Sequence, residues 1–313
     1  MQEKALRDIF GEELRELGRE NEKIVVLDAD LANATRTALF KEEFPDRFFN
    51  IGIAEANMVS VAAGLSTCGF IPFAATFGFL LALRAADPIR SQLCYPNLNV
   101  KLVGGNGGLT GHGDGATHQT TTDLAIMSSM PNMKVIVPSD KHTLRWALKT
   151  AADVKGPVYI RIPREAAPVL HHEEDCFEFG KAILHRDGKD LTIISMGLML
   201  EPALNAASLL EKEGLSAAVL EILTLKPLDK NAIIEQANKT GAIITAEEHS
   251  RYGGLFSMVS QTVVETQPVP VLSVAVNDRF GETGEYRQLL DACGLNVEHI
   301  LEQAHKIISM KTI

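Results

Sequence analysis

Paired cysteines are missing from this chain. Its four cysteines, Cys68, Cys94, Cys176 and Cys293, stand far apart, and none falls in a spacing that would hold a metal. They read as reduced thiols of the core, which suits a cytoplasmic protein. Long apolar runs are missing as well. The N-terminus, MQEKALRDIF, has no signal-peptide stretch, and no segment approaches the ~18 uninterrupted apolar residues of a membrane span. Positive charge is in deficit, with 30 Lys and Arg against 40 Asp and Glu and a net charge of −10. Such a chain lacks the basic face that nucleic acid or a membrane surface needs, and neither is expected as a partner. An anionic small molecule is still within reach where a few arginines or histidines gather. The chain also lacks an internal repeat, a GxxxxGK[ST] loop, a GxGxxG in the right strand–helix setting and an HxE…CxxC zinc pattern.

What is present is the composition of a globular protein: 46% of the 313 residues are hydrophobic and 22% charged. That length suits two domains. Short β-branched runs alternate with helical patterns. Lys23–Asp30, Phe48–Gly52, Ile71–Phe77, Val100–Gly104, Lys134–Pro138 and Val158–Ile162 read as strands, and Glu55–Cys68, Leu80–Leu93, Asp123–Met130 and His142–Val154 as helices. The alternation predicts an α/β fold: a parallel sheet with helices on both faces. From Arg164 to Gly180 the periodicity stops around Pro168 and an acidic cluster, which reads as a linker. It resumes with strands at Asp190–Met196, Ser216–Ile222, Ala242–Ala246 and Val269–Val276, interleaved with helices, as a second three-layer α/β/α domain. The expected boundaries are 1–167, a linker at 168–185, and 186–313.

Between Arg47 and Arg84 one residue carries a formal charge, Glu55, at the start of a helix rich in Ala, Gly and Ser. Such a helix invites close backbone approach, so the region is expected to be buried. A carboxylate there must be neutralised, hydrogen-bonded or both, because burying it unpaired is costly. A partly exposed acid favoured by the helix dipole is the plainer reading; the uncharged setting favours a functional acid. The second feature is the glycine-rich segment Gly104–Asp123, placed between a strand and a helix, where open α/β sheets put ligands. It carries Asn106, His112, Asp114, His118 and Gln119, groups suited to hydroxyls, phosphates or proton transfer. Arg161 and Arg164 flank a strand end and could fork onto a phosphate. A last cluster, Glu247, Glu248, His249 and Arg251, follows a strand, and its expected role is capping and packing.

Taken together, FFNIGIAEANMVSVAAGLS, PFAATF, GDGATHQTTTDLAIMSSMPNMKVIVPSD and AEEHSRYGGL resemble the C-terminal half of transketolase, and best the split transketolases made of two chains. The resemblance runs from about Lys4 to the last helix. It implies a pyrimidine-binding domain followed by a transketolase C-terminal domain, with thiamine diphosphate as cofactor. The Mg²⁺ and diphosphate ligands would then lie on a partner, the N-terminal subunit, in a heterotetramer of two of each chain. The GDG at Gly113–Gly115 is not the diphosphate motif of thiamine enzymes, because the window that should hold its asparagine ligand reads PSDKHT. No metal ligand is therefore expected here.

The resemblance also implies roles. Glu55 would hydrogen-bond the cofactor's aminopyrimidine and, through it, favour formation of the nucleophilic ylide, which moves a two-carbon ketol unit from a ketose to an aldose. Phe77 and Leu80 would line the pyrimidine pocket, and Asp30 would lie near the thiazolium. Asp114 and His118 would contact substrate hydroxyls, with His118 catalytic, while Arg164 and Arg7 would bind a sugar phosphate. The chain departs from the family in several places. Leu80 stands where a second aromatic is usual, Ala86 and Pro88 turn RAYDQIR into RAADPIR, Asn106 replaces a phosphate-contacting histidine, and Ala34 replaces a serine. Those changes point to a different phosphosugar or another acid-tailed sugar. Alternative readings are the β subunit of a 2-oxoacid dehydrogenase, deoxyxylulose-phosphate synthase, and a non-catalytic subunit of a thiamine enzyme.

Overall fold

The computed structural model describes residues 4–311. In chain order its strands are β1 (Ile24–Asp28), β2 (Phe48–Asn50), β3 (Ile71–Phe77), β4 (Lys101–Gly105), β5 (Lys134–Ile136), β6 (Val158–Arg161), β7 (Ala182–Arg186), β8 (Leu191–Ser195), β9 (Ala217–Ile222), β10 (Thr224–Lys226), β11 (Ile243–Ser250) and β12 (Val271–Val276). They form a seven-stranded sheet, ordered β10-β5-β6-β4-β3-β1-β2, and a five-stranded sheet, ordered β12-β11-β8-β9-β7. Each sheet is parallel except for one edge strand: β10 runs antiparallel to β5, and β7 antiparallel to β9. The expected α/β architecture is present, with mixed rather than purely parallel sheets.

The parallel strands are apolar runs because both their faces are covered; every residue of β1 and of β8 is buried. Among the elements that escaped the sequence pattern, three bear on how the sheets pack. The N-terminal helix Leu6–Glu20 buries Leu6, Ile9, Phe10, Leu14 and Leu17, a regular helical stripe. Close packing explains its glycines: a Cβ on Gly11 would stand 2.6 Å from Arg36 Cβ, and one on Gly18 2.5 Å from the Phe40 ring. The short β7 falls inside the expected linker. β10 leaves the second sheet directly after β9 and joins the edge of the first, so the two sheets share one hydrophobic cluster that includes Val135, Leu220, Leu225 and Ile243. The expected helix Leu80–Leu93 winds with wide π turns at Leu80–Arg84 and Ile89–Cys94, on either side of Ala86–Pro88. Pro88 has no N–H to give, so the hydrogen-bond register shifts around it.

The unpatterned segment after Arg164 is fastened by a buried charge cluster. His171 Nδ1 lies 3.0 Å from Asp140 Oδ2, and its Nε2 lies 2.9 Å from Glu221 Oε2. His185 Nε2 reaches the same Glu221 oxygen at 2.7 Å. Asp140 also caps the helix Lys141–Asp153, accepting from the backbone of His142 and Thr143. His171, His185 and Glu221 form the one group of three close enough to hold a metal among the described residues. Their atoms, however, already hydrogen-bond one another, and the cluster ties β7 and β9 to the first sheet. The cysteines depart from expectation: all four are free, but Cys68 and Cys176 are exposed and Cys293 is half-buried, leaving Cys94 as the one core thiol. Among the described residues no helix is long and apolar enough to cross a membrane.

Candidate active site

In the first sheet β1 lies between β2 and β3, so the chain runs outward in opposite directions from the β1/β3 boundary. Such a reversal opens a crevice at the carboxyl ends of the strands, the usual ligand site of open α/β sheets. The crevice found there is lined by Arg7, Ala34, Thr76, Phe77, Asn106 and Arg164. Each comes from a strand end or from the helix packed beside it. Three side-chain donors in this crevice are buried without a partner among the described residues: Arg7 Nε, Thr76 Oγ1 and Asn106 Nδ2. Burying such groups unpaired is costly, so a crevice with three of them is built for a ligand rich in acceptor oxygens. Burial, and then the charges of Arg164 and Arg36, lower the pKa of Arg7; a bound anion would relieve that crowding. Asn106 sits at φ 55°, a left-handed conformation that asparagine tolerates. Thr76 was not singled out from the sequence, because threonine in a strand is ordinary.

Glu55 opens the helix Glu55–Thr67 just beyond β2. Its residue surface is 3% exposed, yet its one side-chain partner is Arg84 Nη1, 3.4 Å from Oε1. Arg84 is itself 58% exposed, so the pair is a weak one. The carboxylate is thus sequestered and, among the described residues, has no other side-chain partner. The helix as a whole is less buried than expected. Ala56, Asn57 and Gly64 are exposed, and Ile53, Leu83 and Tyr95 around it are 75%, 60% and 88% exposed. An apolar surface of this kind marks an interface.

Phe77 and Phe79 stack with ring centroids 6.2 Å apart, and the His118 ring stands edge-on to both, at 5.9 and 5.7 Å. Leu80 is buried beside them. Position 80, where the family pattern has a second aromatic, holds this buried leucine, and the aromatic next to it is Phe79. Asp30 is exposed and pairs with the Asn50 side chain at 2.9 Å. Its neighbour Asp28, fully buried, accepts from Leu31 N–H and from the hydroxyls of Thr35 and Thr37, and fixes the turn that carries Ala34. Burial raises the Asp28 pKa, against the pull of those three hydrogen bonds.

Asp114 and Arg164 pair with each other at 3.2 Å, with side chains 49% and 34% exposed. A pair that wet is worth less than about 1 kcal/mol, so a ligand can replace it. Arg161 is unavailable to any ligand: it is 5% exposed, bonded to Asp123 Oδ2 at 3.0 Å and to the carbonyls of Thr120 and Glu248 at 2.6 and 2.9 Å. Of the two arginines singled out at this strand end, Arg164 alone faces the crevice.

The cluster at the end of β11 divides by strand alternation. Glu247 caps the helix Leu255–Thr266, accepting from the N–H groups of Leu255 and Phe256, as expected of a packing acid. Glu248 points the other way. Its Oε1 accepts from Leu109 N–H at 2.6 Å, and its Oε2 from the Tyr286 hydroxyl at 2.9 Å. Burial pushes both glutamates up to about 7 and pulls His249 down to about 4.

With that geometry established, comparison with known families is decisive. Residues 2–169 match the family "Transketolase, pyrimidine binding domain" and residues 180–300 the family "Transketolase, C-terminal domain". The chain belongs to the transketolase family. Members of the transketolase family use thiamine diphosphate. A solved split-gene transketolase, described as an inactive beta4 tetramer, superposes with a TM-score of 0.90 at 46% identity, covering 98% of this chain and 99% of that one. A Methanocaldococcus jannaschii protein, provisionally named a transketolase C-terminal section, is 42% identical over 96% of this chain and 95% of its own. The 6-deoxy-6-sulfo-D-fructose transketolase subunit of Clostridium sp. is 40% identical over 99% of this chain and 97% of its own. These three relatives are matched nearly end to end, whereas the human transketolase is matched over 49% of its own length.

Proposed function

We propose that this chain is the C-terminal subunit of a two-chain transketolase that transfers a two-carbon ketol unit from an acid-tailed ketose to an aldose. The observation that carries the reading is the crevice of unpartnered donors, Arg7, Thr76 and Asn106, lined also by Arg164 and by Phe77, whose ring contacts Phe79 and His118. Residues 1–167 form the pyrimidine-binding unit in this proposal, 168–185 the linker and 186–313 the C-terminal unit. Thiamine diphosphate, when bound, supplies the nucleophilic carbon and the electron sink for breaking the bond between C2 and C3 of the sugar. The residues of this chain do the rest. Glu55 would donate a hydrogen bond to the pyrimidine ring nitrogen and share its proton there. Phe77 and Phe79, with Leu80, would shield the pyrimidine ring from water, and Asp30 would be the acid near the thiazolium. His118 and Asp114 hold substrate hydroxyls, His118 moving a proton there. Arg164, Arg7 and Asn106 hold the acidic tail.

The diphosphate and its Mg²⁺ belong to an N-terminal subunit, docked over the exposed Ile53, Leu83 and Tyr95 surface in a heterotetramer. The description of the related beta4 tetramer as inactive supports the need for that subunit. The sulfonated sugar in another relative's name supports an anionic tail other than phosphate as a candidate.

The tail assignment is tested by Arg164→Ala in the reconstituted complex. Losing a charge-assisted hydrogen bond costs about 1.5–3 kcal/mol, so KM for anionic ketoses should rise about 10- to 150-fold while uncharged analogues are spared. Equal weakening of charged and neutral substrates would make Arg164 a structural residue instead.

A further inference from the structure

The glycine-rich segment that carries Asp114 and His118 is closed at its base by two backbone bonds, Gly108 N–H to Thr120 O and Thr120 N–H to Gly108 O, both 2.8 Å. Beyond that base it leans on the second sheet. Gln119 Nε2 donates to Glu282 O at 2.8 Å, and Gly284 N–H donates to His112 O at 3.3 Å. The central support is Glu248, which reaches from the end of β11 to Leu109 N–H while Tyr286 holds its other oxygen. Leu109 is fully buried, so its N–H has no water to turn to. The fit leaves no room: at Gly108, φ 71°, a Cβ would lie 2.3 Å from the Glu248 carboxyl carbon. Arg161 completes the junction by bonding the carbonyls of both Thr120 and Glu248.

We infer that Glu248 is a positioning residue. From the second sheet it holds the Gly107–Thr122 segment in the conformation that presents Asp114 and His118, with Tyr286 fixing its side chain. The inference rests on the functional reading of that segment. It gives the C-terminal unit, which contributes no residue to the crevice itself, a direct part in binding sugar.

Glu248→Ala, Glu248→Gln and Tyr286→Phe test it in the full chain. Glutamine keeps an acceptor for Leu109 and a donor that the Tyr286 oxygen can accept, so it should behave as wild type. In Glu248→Ala, amide hydrogen exchange across residues 108–120 should accelerate on the order of 10-fold, the upper range for loss of one buried hydrogen bond, while β1 and β3 keep their protection. Tyr286→Phe should give a smaller change in the same segment. In the complex with the N-terminal subunit, Glu248→Ala should raise KM for ketose and aldose by a similar factor, change kcat less, and leave the apparent affinity for thiamine diphosphate unaltered. Unchanged exchange in Glu248→Ala would overturn the inference. So would acceleration spread evenly over both sheets, or a Glu248→Gln variant as impaired as the alanine one. The exchange measurement uses no substrate, so it decides the role of Glu248 even if the reaction assigned to the site is wrong.

Discussion

Glu55→Gln should lower turnover of the assembled enzyme by about 10²- to 10⁴-fold, the range that a positioned acid–base group supplies. Glutamine keeps the shape and can still hydrogen-bond, but it cannot share a proton. The fold should survive the change. Glu55 has one partner at 3.4 Å, the largely exposed Arg84, and an exposed pair adds at most about 1 kcal/mol. Catalysis and stability are therefore expected to separate: circular dichroism, thermal midpoint and subunit assembly unchanged, activity and hydrogen–deuterium exchange at the thiazolium carbon lost. Near-normal exchange in the variant complex would place the proton relay on another residue.

The second large effect concerns stability. Burial alone would strip the proton from His171, but hydrogen bonds to Asp140 and Glu221 outweigh it and push the pKa up to about 10, against 6.5 for an ordinary histidine. Because the folded value is the higher one, this contribution is complete below about pH 6.5 and fades as pH rises through about 10. Asp140 acts at the other end. Burial opposes its charge, but the His171 bond and the backbone donors hold its pKa well below the usual carboxylate range. Its contribution is present above its ordinary value of 3.8 and is lost as the solution is acidified below it.

Removing one partner of a buried pair costs about 3–5 kcal/mol, because a charge is left without compensation. His171→Ala should fall near the lower end, since His185 still bonds Glu221 at 2.7 Å. The gap in urea midpoint between the full chain and the variant should therefore be widest near pH 6 and shrink as pH rises from 6.5 to 10, a comparison that cancels the opposite pH dependence of buried Lys101, whose pKa is lowered to about 7. Equal loss at pH 6 and pH 10 would show that the imidazolium contributes packing rather than charge.

The fold was legible where local pattern and tertiary role agree. Buried parallel strands are continuous apolar runs, and β1, β3, β4 and β6 stood out as such. The N-terminal helix was missed although its stripe is local, whereas the two strands missed from sequence owe their state to distant partners. β10 is three residues long and exists because β5 offers an edge, and β7 lies in polar sequence and pairs antiparallel with β9. The candidate site was legible where a residue type is rare in its setting, as with Glu55 in an uncharged stretch or His118 among glycines. Thr76 and Phe79 were hidden because a threonine and a phenylalanine at a strand end carry no signal of their own. Glu248 was visible as part of a strand-end cluster expected to cap and pack, but its contact with Leu109 was not: that depends on the strand alternation that turns it away from Glu247 and on the second sheet standing over the Gly107–Thr122 segment, and no local spacing encodes it. Arg161 shows the reverse error, since an arginine at a strand end looks the same whether it binds a ligand or, as here, two backbone carbonyls and Asp123.

The central claim, that this chain completes a ketol-transferring site with a second subunit, is tested most directly by following label from a donor ketose carrying ¹³C at both C1 and C2. With the N-terminal subunit, thiamine diphosphate and Mg²⁺ present, both labels should appear together in the product ketose, still bonded to each other and coupled in the ¹³C spectrum. With this chain alone, none should move. Transfer by the isolated chain, or no transfer to any anionic or neutral acceptor by a complex shown to be assembled and loaded, would contradict the account.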